Sequence, residues 1–209
     1  WNADDDIDWS LRVDRDEWML SPSSSLLATA CKMAGKDESV QRSAAFDEVA
    51  YMLSQLLHGE QAALQLCGQL TNLCETTDEK WFAASQVGDE ARHNEVISRL
   101  LSEKIGTLYP VGATVKCLLE ELLSVEGYEM KTLGMQTLFE GIAMGVMDLL
   151  QKHTENDLLR RTDDAQGHAR CERATTQQDG GLGLLDRGSS GCESRARDAP
   201  HVVPQVRPG

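Results

Sequence analysis

"FAASQVGDEARHNEVISRLL", residues 82–101, has the spacing of an amphipathic helix, with one conflict. Val87, Glu90, His93 and Ile97 recur at steps of three and four, so they share one helical face. That face should be apolar, yet its middle holds a carboxylate and an imidazole. The pattern predicts a helix over 79–105, ended by Gly106 and the "LYP" at 108–110. The turn "TTDE" at 76–79 precedes it, with Thr77 or Asp78 as the expected N-cap.

The neighbouring segments repeat the pattern. From Ser43 to Glu75, Val49, Met52, Leu53, Leu56, Leu64, Cys67 and Leu70 again fall at helical spacing. Shorter and longer helices are expected over 114–124 and 128–153. Connections are short and no two-residue alternation occurs, so the fold expected is an all-α helical bundle over 43–160. Residues 1–42 read as an extended N-terminal arm. Its first 26 residues are rich in Asp, end in "SPSSS" and lack a regular element, with Trp1, Trp9 and Trp18 as packing anchors.

The character changes after Arg160. Residues 161–209 contain no Phe, Tyr, Trp, Met, Ile or Lys, but seven Arg and seven Gly. Such a tail cannot bury enough apolar area to offset chain entropy, and disorder is expected. Abundant Arg without Lys also fits a shifted reading frame. A locus with no single-base insertion or deletion able to restore a helical continuation would rule that out. The tail's charges cancel, seven against seven, so the rest of the chain carries the whole net charge of −14. That charge disfavours nucleic acid and anionic membrane surfaces as partners.

No apolar run approaches the roughly 18–20 residues of a membrane span, and no membrane is expected as a partner. The opening "WNADDDIDWS" is too acidic for a signal peptide, and without Met the true start is expected upstream. The six cysteines form no C-x-x-C pair, which argues against a zinc ribbon or a thioredoxin-like site. Scattered thiols suit a reducing cytoplasm, with Cys67 and Cys74 as small buried hydrophobes.

Two further helices repeat the conflict seen at Glu90. Glu60 lies four residues from both Leu56 and Leu64. Glu140 stands among Leu133, Phe139, Ala143, Met144 and Met147. A buried carboxylate is costly unless neutralised, and several converging ones repel. A multivalent cation at their centre resolves both problems. Glu-x-x-His on a helix presents both side chains to one ion, and oxygen with imidazole nitrogen suits iron or manganese. Glu60, Glu90, His93 and Glu140 are therefore the candidate metal ligands. Arg92 reads as a solvated or supporting charge, His58 and His153 as surface histidines, and Met130, Met135, Met144 and Met147 as core filler.

"HGEQAALQLCGQL" (58–70), "FAASQVGDEARHNEVISRLLSEKIGTLYP" (82–110) and "LGMQTLFEGIAMGVMDLL" (133–150) together resemble the ferritin-like di-iron carboxylate superfamily. The likeness is nearest to bacterial oxygenase-type members related to ribonucleotide reductase small subunits and p-aminobenzoate N-oxygenases. "DIDWS" at 6–10 adds to it. The resemblance implies a ferritin-like bundle whose di-iron centre, or an iron–manganese one, is bound through Glu60, Glu90, His93 and Glu140. It implies O2-dependent oxidation of a small organic substrate with an unidentified electron donor.

This chain departs from the family twice. A second Glu-x-x-His is expected about thirty residues after Glu140, where Arg170 and Arg173 stand, and His168 with Glu172 is a poor replacement. The place of a radical tyrosine, one turn after the ligand histidine, is taken by Ile97. The alternative reading is thus a truncated, inactive metal-site remnant. Iron storage is disfavoured by the Asp/Trp arm. An incomplete bundle leaves one apolar face open, so a homodimer is expected.

Overall fold

In the computed structural model, residues 2–162 are described, and they are all-α, with one isolated bridge between Leu20 and Thr154. Two short helices, α1 (Ala3–Asp6) and α2 (Leu26–Met33), lead into α3 (Glu38–Leu73) and α4 (Thr77–Arg99). A π-helical stretch, Leu100–Ile105, extends α4. Then follow α5 (Ala113–Ser124), α6 (Tyr128–Leu133), a second π stretch (Gly134–Phe139) and α7 (Glu140–His153). A last helix spans 157–162. The disorder or frameshift expected of the tail concerns residues that, beyond 162, lie outside the described ones; so does the packing of Trp1.

The helical hairpin α3–α4 organises the rest. Three residues, 74–76, join its arms, so the arms run antiparallel. The N-cap is Thr76, one residue before the expected position. Its side chain accepts from Glu79 N, and the Glu79 carboxylate accepts from Thr76 N, which satisfies two amides at the helix start. At the other end Gly106 takes the left-handed conformation (φ 74°) and donates to Leu101 O.

The N-terminal region is more regular than expected. Asn2 caps α1 and Ser25 caps α2, and α3 begins at Glu38, ahead of the expected Ser43. Trp9 does act as an anchor. Its indole N–H donates to Ala3 O at 2.7 Å, and Arg99 lies over its ring at 4.2 Å while pairing with Asp4. Ile7, Met19 and Leu20 are buried against α3, the π stretch after α4, and α7. The helix 157–162 runs past the expected boundary at 160 and buries Leu158, Leu159 and Thr162.

Two large apolar clusters share α3, and a small third one, Leu70 with Cys74 and Ala83, lies at its end. One large cluster gathers Phe46 to Leu57 with Val96 to Ile105 and Met147. The other gathers Ala62 to Cys67 with Leu119, Leu122, Met135 and Phe139. Cys67 and Cys74 are buried thiols, as expected of small hydrophobes. His58 and His153, expected at the surface, are half-buried: His58 meets Tyr109 O, and His153 meets Ser24 Oγ.

Tyr128–His153 is continuous helix, with the bounds its sequence predicts. By length and composition it is apolar enough to cross a membrane, although no uninterrupted apolar run of that length exists. Glu140 and scattered small residues break the run without removing its overall apolarity. Only 28% of its most apolar window is buried. Met135 and Met147 are core residues, but Met130 and Met144 are exposed.

Candidate metal centre

The turn at 74–76 sets the register of the centre. Glu60 lies as many residues before that turn as Glu90 lies after it, so an antiparallel pair brings them level. His93, three residues beyond Glu90, shares its face. All three side chains are fully buried. They occupy the gap on α3 between Leu57, in one apolar cluster, and Ala62, in the other.

His93 Nδ1 stands 3.2 Å from Glu60 Oε2 and 3.2 Å from Glu90 Oε2. One ligand atom from each of the three residues lies within 4.8 Å of the others. Burial raises the Glu90 carboxyl from 4.5 to about 7; the bond to His93 opposes this and the Glu60 charge adds to it. Burial alone would lower His93, but its bonds to Glu60 and Glu90 and their charges outweigh burial, so its pKa is raised. Without metal, hydrogen bonds at Nδ1 hold the three groups together.

A metal ion fits this donor set. Donors about 2.1 Å from one ion, set at angles between octahedral and tetrahedral, are about 3.0–3.4 Å apart. The two measured separations of 3.2 Å fall in that range. Two carboxylates and one neutral imidazole would leave a divalent ion no net charge to bury. The buried group Glu60–Glu90–His93 could thus hold a metal ion.

Glu140, the fourth candidate, is half-buried and is not part of that group. The cause is local. The core stripe of this helix is Met135, Phe139, Ala143, Met147 and Leu150. Glu140 follows Phe139 directly, so it is turned about 100° from Phe139 and lies on the flank of the stripe. The π turn Gly134–Phe139 ahead of it takes Leu133 and Met135 out of a uniform 3.6-residue count with the residues that follow.

Sequence reading passed over several neighbours of the centre. Gln86, one turn before Glu90 on the same face, is buried and accepts from Gln136 Nε2 at 3.0 Å. Its i−4 spacing from Glu90 was the available signal. Gly59, beside Glu60, lets the Phe139 ring lie on bare backbone: a Cβ there would meet Phe139 Cζ at 2.5 Å. Nothing in the chain before the fold pairs those two positions. Arg92 bonds Asp89 at 2.5 Å and remains partly solvated.

The fold and site thus define an all-α bundle with a buried Glu–Glu–His group able to take a metal ion. No family model, curated protein or solved structure matches the chain. The ferritin-like assignment therefore rests on the residues themselves.

Proposed function

We propose that this chain binds iron or manganese at Glu60, Glu90 and His93. We further propose that it is an oxidoreductase of the ferritin-like oxygenase type, acting with O2 on a small organic substrate. The observation that carries the proposal is the convergence of three fully buried metal-ligating side chains from one hairpin. The bound metal supplies the redox chemistry and the activation of O2. The chain's residues supply the rest. Glu60 and Glu90 neutralise the ion, and His93 gives up its Nδ1 proton to bind it, so uptake releases protons. The apolar residues on either side keep bulk water from the ligands.

A second reading is an inactive remnant that binds metal weakly or not at all. The position of Glu140 outside the group favours it. Elemental analysis of protein made with iron or manganese supplementation separates the two readings, with Glu90→Ala and His93→Ala as controls. Two ions per chain, lost in the controls, support the di-metal oxidoreductase. One weakly held ion per chain, or none, supports the remnant and overturns the oxidoreductase. Two ions per chain unchanged in the controls overturn binding at these residues.

A further inference from the structure

Glu60, Glu90 and His93 are buried from solvent, so an ion reaches them only past other side chains. Along the hairpin many of those neighbours are apolar. Leu56, Leu57 and Ala63 lie a turn either side of Glu60 on α3, and Ile97 lies a turn after His93 on α4. The Phe139 ring covers the Gly59 backbone beside Glu60. A divalent cation sheds water on entering and needs oxygen atoms in its place, which such surfaces do not supply.

One side is polar. Gln86, one turn before Glu90, is 2% exposed and accepts from Gln136 Nε2 at 3.0 Å, and Gln136 is half-buried. That bond sets the two helices level. Phe139 meets Gly59, and Met147 joins the cluster of Phe46 to Leu57, so the later helix runs antiparallel to α3 and parallel to α4. Four residues on from Gln86 is Glu90, and four on from Gln136 is Glu140. Glu140 is therefore level with the buried group, and it stands half-buried, a turn from Gln136 on one side of their helix.

We propose that Glu140, Gln136 and Gln86 form the route by which a ferrous or manganous ion enters the buried group. The proposal rests on the binding at Glu60, Glu90 and His93 proposed above. The half-buried carboxylate of Glu140 draws the cation to the mouth of the route, in a protein whose charge of −14 already favours cations. The carboxamide oxygens of Gln136 and Gln86 then replace the water that the ion sheds. Neutral amides suit this passage, because they hold a hard cation too weakly to keep it from the two carboxylates beyond. A glutamate left outside the group and a buried glutamine pair beside it thus share one role.

A route residue lowers the barrier to entry and exit alike, so its loss changes both rates and leaves affinity in place. Loss of a ligand or of a folding contact changes affinity. Manganous ion and the metal-free full chain separate these cases. Uptake is read from the loss of the free-ion electron paramagnetic resonance signal after rapid mixing, release from transfer to a chromogenic chelator, and affinity from isothermal titration. Glu140→Gln and Gln86→Leu should each slow uptake and release about tenfold or more, the scale of electrostatic assistance to association, with Kd within about threefold of wild type. Gln86→Glu, which keeps the oxygen donors, should restore the rates lost in Gln86→Leu. Circular dichroism checks folding, and Glu140→Gln, matched in size at a half-buried position, carries the test if Gln86→Leu does not fold. Unchanged rates in Glu140→Gln overturn the route while binding stands. So does a loss of affinity with uptake unslowed, which would make Glu140 a ligand. A wild type with no His93-dependent uptake of manganous ion overturns the binding reading itself, and the route with it.

Discussion

The hairpin α3–α4 and the helix Tyr128–His153 are both long and both carry a carboxylate among apolar residues, yet they treat it differently. In the hairpin, Glu60 and Glu90 face each other across a three-residue turn and become fully buried. In the later helix a π turn shifts the register, and Glu140 comes to rest at the edge of the core. Uniform helix between fixed ends brings charged groups together, and one added residue per turn is enough to part them.

The largest expected effect tests whether the hairpin alone forms the centre. His93→Ala should lower affinity for manganous ion by ~100-fold or more, whereas Glu140→Ala should change it by less than ~10-fold. Isothermal titration measures both, and equal losses would erase the contrast between the two regions.

Packing gives the next effect. Met135→Ala, on the buried side of the later helix, should cost ~2–5 kcal/mol in urea unfolding. Met144→Ala, on the exposed side, should cost under ~0.5 kcal/mol.

The centre should also give the metal-free protein a pH slope. Glu90 and His93 both have raised pKa values, so the folded chain holds protons that the unfolded chain has already released. The contribution of Glu90 is complete below about pH 4.5 and is lost as pH rises through about 7, and that of His93 is lost as pH rises above 6.5 through its own raised pKa. The loss should be on the order of 1–3 kcal/mol. Glu90→Gln should flatten the slope. Saturating manganous ion should reverse it, because the metal binds the deprotonated ligands. A metal-free midpoint that rises with pH in this window would contradict the assigned geometry. The smallest effect is at the hairpin turn, where Thr76→Ala should cost ~1 kcal/mol by removing the cap.

Much of this was legible in the sequence where helix was uniform. The ends of α5 and of Tyr128–His153 follow from periodicity and glycine punctuation. Glu60, Glu90 and His93 follow from polar residues at apolar positions. Glu140 was read from the same signal, a carboxylate among apolar residues, and it stands half-buried outside the group. The short helices of the arm were missed because Asn2 and Ser25 cap segments too brief to show a period. Ser25 is further held by Glu48, a bond formed only when the arm folds back on α3. Met130 and Met144 were misplaced because the helix is apolar on two sides, and composition alone does not say which side is covered.

The short turn at 74–76 also bears on how the molecule comes into being. Every ligand of the buried group belongs to one local hairpin, closed by contacts only about thirty residues apart in the chain. Such contacts form fast, because little loop entropy is lost in making them. During synthesis the chain emerges from its N-terminus, so this hairpin can dock while Tyr128–His153 is still being made. The buried group can therefore assemble on the nascent chain, before the helix that flanks it exists.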